Sequence, residues 1–313
     1  MVYLADGSSV EISIGDGEDD PCFYISDLLI HLATSQMTKK IGEAIEGENL
    51  NLLAGSIPYE DKDEKDRVKL TVLSLLNEKY GICEDDFVSA ELEAVPAGDA
   101  RDVGFDRSMI GAYAHDDRVC SFCGLRAIID AEPGKKTSVL ILADKEEIGS
   151  TGNTGMKSAF YFNFIDKLCK ICGSDKLECV SNSFCLSADV CNALDPQYQS
   201  VSEKNNAAAL NCGVALLKYT GARGKSGTSD ASAELMSRMR NLFNRSGVVW
   251  QTAELGKVDE GGGGTVAQYI AQLDVETVDC GVPLLSMHAP MEIAAKADIY
   301  MAYKAYKAFY EFN

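Results

Sequence analysis

Apolar and polar positions change rhythm along this chain. Over residues 1–13 they alternate around Asp6-Gly7, as in a hairpin. Residues 15–22, GDGEDDPC, are acidic and polar, and residues 25–34 form an apolar segment carrying His31. YEDKDEKDR at 59–67 predicts an exposed loop, and VKLTVLSLLNEKYG at 68–81 has helical spacing. So much polar sequence leaves little apolar area to bury. Residues 1–90 therefore predict a small domain that packs on another domain or another chain.

From Asp86 onward the rhythm alternates between strand and helix. FVSAELEAV (87–95) reads as a strand, CSFCGLRAIIDA (120–131) as a helix and TSVLILA (137–143) as a strand. GMKSAFYFNFIDKLCKIC (155–172) reads as a helix, and CVSNSFCLSAD (179–189) as a strand ending in acid. GVALLKYTG, VVWQTAEL, VETVDC and VPLLSMH continue the strands; ASAELMSRMRNLFNRSG, TVAQYIAQL and MEIAAKADIYMAYKAYKAFYEF continue the helices. Residues 91–313 therefore predict an α/β domain, a mostly parallel sheet covered by helices on both faces.

Chemistry gathers where these strands end. Residues 137–155, TSVLILADKEEIGSTGNTG, run from β-branched apolar residues into Asp144, Lys145, Glu146 and Glu147 and then into glycines. Neighbouring carboxylates repel, and a partly buried pair is tolerable when a metal ion or a proton neutralises one of them. On the metal reading one glutamate binds the ion and the other takes a proton from the water that the ion activates. Asp116 and Asp117 precede the first helix of the α/β region, Asp189 ends one strand and His288 another, which makes a convergent set of oxygen and imidazole donors.

Composition narrows the partners. In 313 residues, 48 acidic against 29 basic side chains give a net charge of −19, which argues against nucleic acid and anionic membrane. No apolar run reaches the roughly 18–20 residues of a membrane span, and the start has no signal-peptide pattern, so the expected compartment is the cytoplasm. The 11 cysteines include the pairs Cys120/Cys123 and Cys169/Cys172. Their separation and the helical context of the second pair point to reduced structural thiols rather than a zinc ribbon.

Seven segments in order, YAHDDRVC, ILADKEEIGSTGNTG, SADVCNALDP, VSEKNNAA, KYTGARGKSG, VDEGGGGT and LLSMHAPMEI, resemble the motif series of the aspartyl aminopeptidase family of dinuclear zinc metallopeptidases. ISDLLIHLA resembles part of that family's inserted dimerisation domain. The resemblance implies a zinc-peptidase-like α/β fold with that smaller inserted domain, and two zinc ions. Asp116 would bridge them, Glu147 and His288 would complete one site, Asp189 would belong to the other, and Glu146 would be the general base. From the residues alone, Asp116 and Asp117 are each also open to helix capping or pairing with Arg118.

The substrate side is less decided. Lys204 is either a cation facing the substrate or a solvated lysine. Gly262 and Gly263 either present N–H groups to an anion or simply turn the chain. His31 is either a structural histidine or, as the resemblance suggests, a group donated to a neighbouring subunit of a homo-oligomer built from dimers. The reaction implied is removal of N-terminal residues, acidic ones by the family's name, from peptides. The deblocking and glutamyl aminopeptidases share the metal logic but fit KYTGARGKSG less well.

One departure stands out. The family's His-x-Asp motif, whose histidine partners Asp189 at the second metal, has no counterpart here; His115 is not at its position. The expectation is a chain lacking its first catalytic strands. It is then either a zinc aminopeptidase with a weakened second site or an inactive relative acting as a binding or assembly protein.

Overall fold

The computed structural model describes residues 1–312 and divides into two compact units, Met1–Ala97 and Gly98–Asn313. In the first unit β1 (Val2–Tyr3) and β2 (Ser9–Val10) form an antiparallel hairpin. The Asp6 carboxylate accepts from the Ser8 N–H at 2.9 Å inside its turn. β3 (Tyr24–Ile25) pairs antiparallel with β4 (Leu52–Leu53), with the single turns α1 (Thr34–Met37) and α2 (Ile41–Ala44) between them. α3 (Arg67–Tyr80) is the helix expected from its spacing. Val2, Ala33 and Ile82 are the buried hydrophobic residues described in this unit, while Leu29, Ile30, Leu32, Ile41 and Ile45 are exposed. The core is as thin as the polar sequence implied.

The second unit carries two sheets. One runs β10 (Trp250–Thr252), β9 (Val214–Leu217), β11 (Glu276–Gly281), β7 (Phe184–Ser187). The other runs β5 (Arg101–Val103), β6 (Met109–Ala112), β13 (Glu292–Ala295), β12 (Pro283–Leu285), β8 (Cys191–Asn192). Around them lie α4 (His115–Asp130), α5 (Phe160–Cys172), α6 (Lys176–Ser181), α7 (Ala233–Arg245), α8 (Ala267–Ala271) and α9 (Lys296–Tyr310). α7 shows the logic: Ser232 caps it by accepting from the Leu235 N–H at 3.0 Å. Leu235, Met239 and Phe243, four residues apart, then put one apolar stripe into the core beside Leu216, Val278 and Tyr306. No helix of the described residues is long and apolar enough to cross a membrane.

The α/β class holds, but the sheets are mixed rather than mostly parallel. β9 with β10, β7 with β11 and β8 with β12 run parallel; β9 with β11, and β5, β6, β13 and β12 in succession, run antiparallel. Alternating strand and helix patterns do not say which edge a strand joins. Short turns between β5 and β6 and between β12 and β13 force antiparallel neighbours.

Residues 179–181, read as the start of a strand, instead close α6, and β7 begins at Phe184. Three further segments depart from their sequence pattern. Residues 87–95 begin inside a 3-10 helix, Glu84–Ser89, where the Asp86 carboxylate accepts from the Cys83 N–H at 2.8 Å and so favours a turn over a ladder. Residues 137–143 join no strand among the described residues; Leu140 instead packs over Gly124 of α4. The closing segment is not one helix, because its first residues form β13 against β6 before α9 begins.

Candidate metal centre

The turn that enters α4 sets the site. Ala114 takes a left-handed conformation (φ 54°), the Asp116–Asp117 peptide is cis, and both aspartates have non-helical backbone angles. Asp117 Oδ1 then accepts from the Cys120 N–H at 2.9 Å, so capping falls to Asp117. Arg118 stacks on the Tyr113 ring, 4.9 Å from its centroid. Asp116 is left to point elsewhere.

Glu146 and Glu147 sit on a turn closed by the Gly149 N–H to the Glu146 carbonyl (2.8 Å) and the Ser150 N–H to the Lys145 carbonyl (2.7 Å). Lys145 is left-handed (φ 64°). His288 lies three residues beyond the end of β12, not on it, and is itself left-handed (φ 66°). Non-glycine residues in this region cost free energy and persist where surrounding structure over-determines them. Asp189 follows β7, and its backbone is pressed against β11: a Cβ on Gly281 would overlap the Asp189 carbonyl oxygen. Only glycine permits that approach.

Two donor groups result. Asp116, Glu147 and His288 can each offer an atom within 4.8 Å of the others, and so can Asp116, Asp117 and Asp189. His288 Nε2 lies 3.0 Å from Asp116 Oδ2 and 3.5 Å from Glu147 Oε1. Asp116 is common to both groups, as a bridging ligand must be. The second group is all carboxylate.

Charge confirms that these acids are crowded. Burial and then the Glu147 charge push the Asp116 carboxyl up to about 6. Burial raises Asp117 to about 7. Burial and the charges of Asp117 and Asp116 hold Asp189 well above the usual carboxylate range. Glu146 is raised by burial and by Glu147, with His288 pulling the other way. Such a set needs protons or a cation, and oxygen with imidazole donors at these separations suits a divalent ion such as zinc.

The M18 pattern, described as aminopeptidase I zinc metalloprotease, matches residues 1–310. This chain belongs to the M18 family. M18 members are aminopeptidases, so the chain is a peptidase of the metal-dependent kind. It is 51% identical over 313 residues to a probable M18 family aminopeptidase 1 of Clostridium acetobutylicum, covering 99% of this chain and 67% of that protein. The crystal structure of an M18 aminopeptidase from Thermotoga maritima superposes with a TM-score of 0.95 at 48% identity, over 99% of this chain and 69% of that one. That of aminopeptidase I from Clostridium acetobutylicum gives 0.92 at 49%, over 98% and 67%.

The remaining candidates of this M18 chain are placed less centrally. Lys204 is exposed on a turn after the 3-10 helix Gln199–Val201. His31 is exposed in the 3-10 turn Ile30–Leu32 of the first unit, and neither donor group contains it. His115 is a core histidine whose Nε2 lies 3.2 Å from the Ile110 carbonyl oxygen. Gly262 and Gly263 lie in an extended loop, and a packing requirement accounts for two of its glycines. A Cβ on Gly262 (φ 128°) would overlap the Gly221 carbonyl, and one on Gly264 the Gly227 carbonyl. Thr265 ends this loop, and its hydroxyl donates to Asp279 Oδ1 at 2.7 Å.

Asp117, which the sequence left between ligand and helix cap, shares a donor group while capping α4. Sequence reading missed one participant. Glu292, only 2% exposed, accepts from the Asp116 N–H at 2.9 Å and from the His288 N–H at 2.6 Å. Inside a segment that read as helix, it carried no signal.

Proposed function

We propose that the chain removes N-terminal residues from peptides with zinc held by Asp116, Glu147 and His288, and with a second ion shared between Asp116 and Asp189. The observation that carries this reading is the convergence of His288 Nε2, Asp116 Oδ2 and Glu147 Oε1, with Asp116 common to a second acidic group. When bound, zinc makes water a nucleophile near neutral pH and polarises a carbonyl.

The chain's own residues do the rest. Glu146, raised above the usual carboxylate range, is poised to take the proton of the attacking water and return it to the leaving amine nitrogen. Lys204 and the N–H groups of Gly262 and Gly263 are the substrate-side donors, and an acidic N-terminal residue is the substrate that a lysine would favour. The exposed Leu29, Ile30 and Leu32 around His31 support a homo-oligomer that covers this face and carries His31 with it.

The test is hydrolysis of aspartyl, glutamyl and leucyl peptides by the purified chain with added zinc or cobalt, against a chelator control. Metal-dependent release is expected, fastest for acidic residues and lowered ~10²–10⁴-fold in Glu146→Gln. Release that survives chelation, or that Glu146→Gln leaves intact, would sink the reading.

A further inference from the structure

We infer that Glu292 is a positioning residue that holds Asp116 and His288 in ligating register, an inference that rests on the metal reading above. Glu292 opens β13, opposite Ala112 of β6. Its carboxylate is almost fully buried and divides between two backbone donors from segments far apart in sequence, Oε2 to the Asp116 N–H and Oε1 to the His288 N–H. One side chain thus ties the entry of α4 to the loop after β12.

Both segments hold residues whose own backbones favour other conformations. Ala114 precedes Asp116 with φ 54°, and both Ser286 (φ 58°) and His288 (φ 66°) are left-handed. The local chain gives His288 one further restraint, the Ala289 N–H to the Ser286 carbonyl at 3.0 Å. Without the carboxylate, nothing else described bonds the His288 amide, and the 3.0 Å separation of His288 Nε2 from Asp116 Oδ2 loses its tether. A buried carboxylate is costly to keep, and core packing gains nothing from it. Two acceptor atoms aimed at two N–H groups are what it supplies. Glutamine has the same shape but one acceptor, so its NH2 would face one of the two amides, donor against donor. Aspartate keeps both acceptors on a shorter arm, and that arm reaches one amide at a time.

The experiment compares zinc affinity and chelated melting temperature for the full chain, Glu292→Gln and Glu292→Asp. Zinc is titrated against a competing chelating dye. Loss of a group that orients metal ligands typically weakens affinity ~10–100-fold, and that loss is expected for Glu292→Gln, with Glu292→Asp between it and the parent. Full affinity in folded Glu292→Gln, whether or not its melting temperature falls, would overturn the assignment and leave the metal reading standing. A parent chain that takes up no zinc would overturn both.

Discussion

Replacing Asp279 by asparagine should make the protein more stable, and only above acidic pH. Asp279 sits on β11, 2% exposed, with its Oδ1 accepting the Thr265 hydroxyl at 2.7 Å. Burial pushes its carboxyl from 3.8 up to about 6. Asparagine keeps an acceptor for Thr265 and removes the charge. The shift of about two units, at ~1.36 kcal/mol each, makes the ionised carboxylate cost about 3 kcal/mol in the folded state. The sign follows from proton uptake. Below pH 3.8 both states are protonated and the penalty is absent; between 3.8 and about 6 the folded state holds a proton that the unfolded chain has lost. The contribution of Asp279 to stability therefore falls with rising pH through that window and is flat above it. Urea unfolding of parent and Asp279→Asn, with chelator present, should give equal stabilities near pH 4 and a gap of about 3 kcal/mol favouring asparagine at pH 8. A gap of the same size at every pH, or a less stable asparagine variant at pH 8, would refute the reasoning.

Three further outcomes are expected. Gly281→Ala forces a Cβ onto the Asp189 carbonyl oxygen and should destabilise by ~1–3 kcal/mol, with weaker zinc uptake in a dye titration. Unchanged melting and uptake would mean that the strand yields freely. Asp298→Ala removes a buried acceptor from the Asn211 and Gly213 N–H groups, each at 2.6 Å, and should cost about 3 kcal/mol in urea unfolding. A cost under about 1 kcal/mol would show that these amides find other partners. Gly262→Ala should lower peptidase activity more than it lowers melting temperature, because the loop rather than the core must move; a variant of parental activity would contradict that.

Sequence reading named residues that the structure brings together because each stands where a regular pattern stops. Asp116 lies at the entry of α4, Glu147 ends an apolar run, and Asp189 follows β7. What closes on them was not legible. Glu292 lies in MEIAAKADIY, whose apolar spacing continues into α9, and only pairing with β6 turns its first residues into a strand. Propensity yields there to a tertiary partner. Residues 137–143 show the converse: a β-branched run is a strand only when something bonds its edge. Sheet direction was hidden for the same reason, since β11 runs parallel to β7 and antiparallel to β9.

Residues 219–228 and 261–264 meet backbone to backbone, with Gly262 against Gly221 and Gly264 against Gly227. Between them there is no side chain to yield. Neither loop can be redesigned alone: a residue with a side chain at 262 calls for a displaced 221, and a displaced 221 for a new partner at 262. A chimaera that brings a side chain to 262 or 264 without moving 219–228 inherits a collision, so the two segments are best transplanted as one cassette.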